Sequence, residues 1–240
     1  MTTALVTGAT SGIGYAIALE LARGGADVIV HGRDAERGRK VVQDIENAGG
    51  AARFIAADLS NAEEVGRLAR AAGQVDILVN NAGIYTFAAT ADTTDADFDA
   101  QLNTNLRAPF ILVRELVPGM AARGTGAVVN ITTVVASTPG QGAGGYGASK
   151  AGLELFTKVW ADEFGKSGVR VNAVSPGPTE TPGTAGIPGF IDGLAQTRAL
   201  GRVARADEIA GVVAFLVSRA AGFINGAIVP VDGGAVALSA

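Results

Sequence analysis

The chain has 240 residues, 48% of them hydrophobic, and carries 19 Lys and Arg against 23 Asp and Glu, a net charge of −4. It contains no Cys and one His, His31, which excludes disulfides, thiolate metal sites and a histidine metal cage. The mild acidity and the lack of a basic stripe argue against nucleic acid as a partner. No apolar run approaches the ~18 residues of a membrane span.

Met1-Thr2-Thr3 leads into an apolar run without a basic segment, so no secretion signal is expected and a cytoplasmic protein is. Residues 4–7 read as a buried strand followed by glycines, after which Ile13, Ile17, Ala18 and Leu21 recur at helical spacing. Gly24-Gly25 ends that helix, and 27–30 is the second strand. Asp34 is a predicted N-cap for a helix reaching about Asn47. Further strands are predicted over 53–57, 75–80, 127–131, 169–175 and 227–231, and helices over 62–72, 94–123, 146–165 and 205–218. Strands alternating with helices imply a mostly parallel sheet covered on both faces. No linker, charge block or repeat divides the chain, so one domain over 1–240 is expected. Such sheets bind ligands beyond the carboxyl ends of their strands, which directs attention to the residues just after each strand.

After the first strand comes Thr7-Gly8-Ala9-Thr10-Ser11-Gly12-Ile13-Gly14. Gly8 permits a tight turn, Gly12 lets backbone approach a pyrophosphate, and Gly14 allows close helix–strand packing. The helix N-terminus offers N–H groups and a positive dipole end to phosphates. Taken alone, the cluster equally suits a plain strand–helix turn. Tyr146 and Lys150 are four apart and share one face of a helix. A phenol ionises near pH ~10 and is a poor base at neutrality. A nearby ammonium favours the phenolate, so the pair is suited to exchange a proton with a carbonyl oxygen. In isolation it would read as a half-buried aromatic beside a solvated charge.

The T-G-x-x-x-G-x-G spacing is joined by Asn80-Asn81-Ala82-Gly83, Tyr146-Gly147-Ala148-Ser149-Lys150, Pro176-Gly177 and Val231-Asp232-Gly233-Gly234, each after the expected element. Together they resemble the short-chain dehydrogenase/reductase family, and the resemblance covers the whole chain. It implies an α/β fold: a Rossmann-like, doubly wound, parallel seven-stranded sheet with helices on both faces, in a single domain. It also implies NAD(P)(H)-dependent hydride transfer between nicotinamide and a carbonyl or secondary alcohol, with Tyr146 as general acid/base and Lys150 also bound to the nicotinamide ribose. Gly8, Thr10, Ser11, Gly12, Ile13 and Gly14 would meet the cofactor. Asp58 and Leu59 would frame the adenine, with Asp58 on its amino group. Asn81, Ala82 and Gly83 would border the adenosine ribose and the cofactor's inner edge. Pro176 and Gly177 would lie on the nicotinamide side, where Thr179 and Thr181 would hold the carboxamide and phosphate. Plainer roles exist for some: Asp58 as a loop cap, the two threonines as members of a Pro-rich turn.

The clearest departure is at Thr133, where the family has its substrate-binding serine; threonine keeps the hydroxyl but adds a methyl and a stiffer side chain. Thr132 is expected to face the other way. Asn105 matches the family's helical asparagine, inferred to anchor a water that links Lys150 to solvent; Asn103 is its rival. The family's NAD-selecting acid aligns with Gly32, and Arg33 follows, so NADP(H) is favoured and NAD(H), through Asp34, is the alternative. Residues 181–200 are expected to form a mobile cover whose Ile187, Phe190, Ile191 and Leu194 suit a modestly hydrophobic substrate, a 3-oxoacyl thioester or another ketone. A homotetramer is expected, built from the 94–123 and 146–165 helices and the apolar tail through Leu238. A reading from another class is a nucleotide-binding sensor or scaffold without chemistry. Thr133 gives it a foothold, while Tyr146, Lys150 and Asn105 oppose it.

Overall fold

The computed structural model describes residues 2–183 and 190–234, with the side chains of 190–192 excepted. The chain alternates strand and helix: β1 (Thr2–Val6), α1 (Gly12–Arg23), β2 (Ala26–Gly32), α2 (Ala35–Asn47), β3 (Ala51–Ala56), α3 (Ala62–Ala72) and β4 (Ile77–Asn80). Then come α4 (Asp95–Leu102), α5 (Ala108–Ala122), β5 (Gly126–Ile131), α6 (Gly144–Gly165), β6 (Val169–Pro176), β7 (Thr179–Glu180), α7 (Phe190–Ala195), β8 (Ala204–Arg205), α8 (Ala206–Val217) and β9 (Ile228–Val231). Seven strands form one parallel sheet in the order β3-β2-β1-β4-β5-β6-β9, as expected for the doubly wound fold.

Strand side chains alternate between the two faces. Leu5 packs in one core with Leu68, Leu112, Leu153 and Trp160 from α3, α5 and α6. Its neighbours Ala4 and Val6 pack in the other, with Ile17, Ile45 and Ile209 from α1, α2 and α8. Burying each such leucine or isoleucine contributes about 1.5–3 kcal/mol. Both faces being covered, the central strands are almost wholly apolar, as in Ile77-Leu78-Val79.

Asp34 caps α2 as expected, its carboxylate accepting from Glu36 and Arg37 backbone N–H at 2.9 and 3.1 Å. The helix expected over 94–123 is α4 and α5 joined by a wide π turn, Asn103–Arg107, in which the Ala108 N–H reaches back to the Asn103 carbonyl. Pro109 supplies the physical reason, since it has no N–H to give to Asn105 four residues earlier. The short pair β7–β8 and helix α7 went unforeseen; two-residue strands leave no periodic signal. Ile187 and the tail through Leu238 lie outside the described residues, and only the backbone of Phe190 and Ile191 is described. Among the described residues no helix is long and apolar enough to cross a membrane.

The order reverses between β1 and β4, which opens a crevice at their carboxyl ends. The residues singled out in the sequence converge there.

Candidate active site

The glycine loop is held open by its neighbours. Gly8 and Gly12 have φ of +65° and +56°, a region that favours glycine. A Cβ on Gly14 would overlap the Gly8 carbonyl and the Asn81 amide, so this glycine sets the close approach of α1 to the sheet. A Cβ on Gly12 would reach the Thr181 methyl at 3.3 Å and narrow the cleft between the loop and the far wall. The N-terminus of α1 beside these glycines is an arrangement that could hold a phosphate.

Thr7 is the hub of this region. Its buried hydroxyl donates to the Val79 carbonyl and accepts from the backbone N–H of Asn81 and Ala82 at 2.9 and 3.0 Å. The Asn81 side chain donates to the carbonyls of Thr7 and Gly8. Asn81 thus ties β1 to β4, a linking task in addition to the border position inferred for it. His31 makes a second tie. It is 2% exposed. Its Nδ1 accepts from the Gly8 N–H at 3.2 Å, while Nε2 donates to the Ala57 carbonyl at 3.1 Å. Burial holds the imidazole neutral, with its pKa lowered to about 4. Neither tie is visible in the sequence, where Thr7 only opens the glycine motif and His31 only excludes other chemistry.

In the loop after β3, Asp58 Oδ1 accepts from both the N–H and hydroxyl of Ser60, at 2.9 Å each. These bonds, aided by Arg33, hold its carboxyl below the usual range. Asp58 is a loop cap, and it also lines the cavity with Leu59. Asp34 is committed to capping α2 and to an ion pair with Arg37 at 2.8 Å. Arg33 is exposed at the cavity rim.

The other part of the cavity is built from β5, α6 and the loop after β6. Tyr146 stands in the first turn of α6 and Lys150 one turn on. Lys150 is 3% exposed, and its Nζ donates to the Ile131 carbonyl at 2.8 Å. Burial lowers its pKa to about 8. The expectation that Lys150 depresses the Tyr146 pKa is corrected. Burial raises the phenol, Tyr85 adds to the rise, and a side-chain hydrogen bond with Thr133 pulls against it. The phenol is a proton carrier at neutral pH, suited to act as an acid. Thr133 follows the end of β5 and lines the cavity beside Thr132, whose hydroxyl is engaged with Glu154 and the Val174 carbonyl. Thr179 donates to the Gly177 carbonyl at 3.0 Å, and Gly177 packs so closely on Asp232 that a Cβ would overlap it. Pro176 pairs with Val231 at the end of β6.

Asn105 sits in the π turn, fully buried. Its side chain bonds Ile84 on both sides and donates to the Ser149 hydroxyl at 3.1 Å. A Cβ on Gly83 would lie 3.2 Å from Lys150 Nζ and 3.3 Å from Asn105 Oδ1, so any side chain there would crowd both. One cavity of about 900 Å³ joins the glycine loop, Ala82, Gly83, Tyr146, Lys150, Pro176, Thr179 and Thr181.

A family model described as enoyl-(acyl carrier protein) reductase matches residues 8–236. The 3-oxoacyl-(acyl-carrier-protein) reductase of Pseudomonas aeruginosa is 39% identical over 96% of this chain and 96% of its own length. A solved structure described as a short chain dehydrogenase/reductase family protein is 50% identical, with a TM-score of 0.91 over 97% of this chain and 96% of that one. The chain belongs to the short-chain dehydrogenase/reductase family. A further solved member, the 3-oxoacyl (acyl-carrier-protein) reductase of Agrobacterium tumefaciens C58 with NADP bound, is 34% identical, with a TM-score of 0.93 over 97% of this chain and 93% of that one.

As a short-chain dehydrogenase/reductase the protein is an NAD(P)-dependent oxidoreductase working between carbonyl and alcohol. Nothing favours the silent sensor. Tyr146, Lys150 and Thr133 border the same cavity as the glycine loop.

Proposed function

We propose that this short-chain dehydrogenase/reductase reduces an apolar ketone with NADPH, and that one unit over residues 1–240 carries both cofactor and substrate sites. The observation that carries this reading is the protonated Tyr146 hydroxyl, joined to Thr133 in the cavity that the glycine loop opens. The NADP-bound Agrobacterium tumefaciens relative and the exposed Arg33 support NADP(H) over NAD(H), since Asp34 is already occupied by α2 and Arg37. A 3-oxoacyl thioester is one candidate substrate, by analogy with the named relatives.

The bound nicotinamide would supply hydride to the carbonyl carbon. Gly8, Thr10, Ser11, Gly12, Ile13 and Gly14 would hold the phosphates, with Thr181 opposite. Asp58 and Leu59 would receive the adenine, Asp58 offering Oδ2 because Oδ1 serves Ser60. Asn81, Ala82 and Gly83 would border the riboses; Pro176, Gly177 and Thr179 would support the nicotinamide half. The hydroxyls of Thr133 and Tyr146 orient the substrate oxygen, and Tyr146 gives it a proton. Lys150 would bind the ribose and, with its pKa lowered to about 8, could return a proton to the phenolate left behind. Asn105 would hold a water for reprotonation through its carbonyl, which Pro109 deprives of a helical donor.

We further propose a cytoplasmic homotetramer, with no nucleic acid partner. Phe110, Leu155 and Val159 are exposed on α5 and α6, and Phe156 stacks on Trp160 at 4.9 Å beside them. A second copy would cover that face. Light scattering tests it; a particle of the 24.0 kDa chain mass would refute it. The reaction is tested by NADPH oxidation against a panel of ketones and thioesters. Silence with tight NADPH binding would restore the sensor.

A further inference from the structure

After β4 the chain runs without regular secondary structure along the cavity. Its alternate residues are tethered: Ile84 by both ends of the Asn105 amide, Thr86 by Gln101, whose Oε1 accepts its N–H at 3.2 Å, and Ala88 by the Gly142 carbonyl at 2.9 Å. Gln101 is itself 1% exposed and lies one helical turn before Asn105. Tyr85 and Phe87 alternate with the tethered residues, and both line the cavity, as does Ile84.

Their rings are grouped around the reacting phenol. Tyr85 lies 5.9 Å from Tyr146 and Phe87 lies 6.2 Å from it, both edge-on, and the two are 5.6 Å from each other. Such spacings are those of attractive aromatic pairs. Yet Tyr85 and Phe87 are 52% and 55% exposed, so about half of each residue's surface is open. The Tyr85 hydroxyl reaches across to Gly183, where an added Cβ would lie 3.8 Å away.

We propose that Tyr85 and Phe87 form an aromatic cradle that makes this enzyme select ketones whose carbonyl is attached to a flat ring. The inference rests on the reading of the protein as a carbonyl reductase with Tyr146 as acid. A ring seated against Phe87 and Tyr85 places a carbonyl on its edge beside the Tyr146 hydroxyl. Because the backbone of the segment is tethered at every second residue, the cradle is ordered before the substrate arrives, and little further ordering cost falls on binding. A straight acyl chain gains the apolar contact but not the stacking, and it loses rotational freedom on entry.

The test compares acetophenone with a straight-chain methyl ketone of the same carbon count, both with NADPH. The parent should favour acetophenone in kcat/KM by about tenfold. In Phe87→Leu and Tyr85→Leu, which keep apolar bulk but lose the ring, that preference should collapse through a higher acetophenone KM. NADPH affinity should stay at the parent value, which reports that the fold is intact. Acetophenone affinity for the NADP+ complex, measured by equilibrium dialysis, gives the same answer without turnover. Equal use of the two ketones by the parent, or equal acetophenone affinity in parent and Phe87→Leu, overturns the cradle. Loss of all carbonyl reduction with ring binding preserved would overturn the reductase reading and leave the cradle standing.

Discussion

The Asn105 amide closes on both backbone groups of one residue, accepting from the Ile84 N–H at 2.9 Å and donating to the Ile84 carbonyl at 2.8 Å. The π turn that carries Asn105 is thereby coupled to the loop that carries Tyr85. Asn105→Ala leaves two part-buried backbone groups unpaired, at a cost of about 1–3 kcal/mol. We expect a lower Tm and a lower kcat/KM, with NADPH Kd unchanged. A variant with the parent Tm and the parent kcat/KM would show the clamp to be idle.

His31 makes the cofactor loop acid-sensitive. Its folded pKa of about 4 is below the ordinary 6.5, so the unfolded chain binds the extra proton first. The stability this histidine contributes is complete above pH 6.5 and lost as pH falls through about 4, a range on the order of 3 kcal/mol. Thermal unfolding measured across that window should show Tm falling with acid in the parent. His31→Gln should flatten the fall. An identical pH profile in the two proteins would exclude His31 as its source.

Cofactor choice is expected to rest on Arg33. Arg33→Ala should weaken NADPH binding by roughly tenfold or more, the loss of a charge-assisted contact, and leave NADH binding nearly unchanged. Fluorescence titration of both cofactors reads this directly. Parent-like NADPH affinity in the variant would move the phosphate contact elsewhere, Arg37 being the next cation at the rim.

The inner strands were legible because both of their faces are buried, which writes near-continuous apolar runs into the sequence, whereas the edge strands β3 and β9 are only partly buried and rest on the alternation with helices. The positions of Gly8, Gly12, Gly14, Tyr146 and Lys150 were legible because each follows a strand or shares a helix face. Other features were hidden because they depend on partners distant in sequence. His31 meets Gly8 and Ala57 only once β1, β2 and β3 are paired. The raised Tyr146 pKa reflects burial that no spacing reveals. Tyr85 and Phe87 carry no signal in the sequence, because the grips on the backbone beside them, Asn105 on Ile84 and Gln101 on Thr86, come from the helical segment that follows.

Thr133 separates a hydroxyl role from a shape role. Thr133→Val keeps the branching and deletes the donor, and removal of one such donor typically costs ~3 kcal/mol, roughly a hundredfold in rate. We expect that fall in kcat with NADPH Kd unchanged, while Thr133→Ser stays active. Thr132→Val should leave turnover largely intact and lower Tm instead, since its hydroxyl serves Glu154 and Val174. Parent-like turnover in Thr133→Val would reassign the substrate oxygen to another donor.

The most direct measurement follows the near-ultraviolet absorbance of NADPH with a ketone substrate in the parent and in Tyr146→Phe. Removing the phenolic proton donor should lower kcat by roughly a hundredfold to ten-thousandfold. NADPH should bind both proteins alike, because burial of the ring and the glycine loop are untouched. Steady NADPH oxidation by Tyr146→Phe at the parent rate would contradict the account.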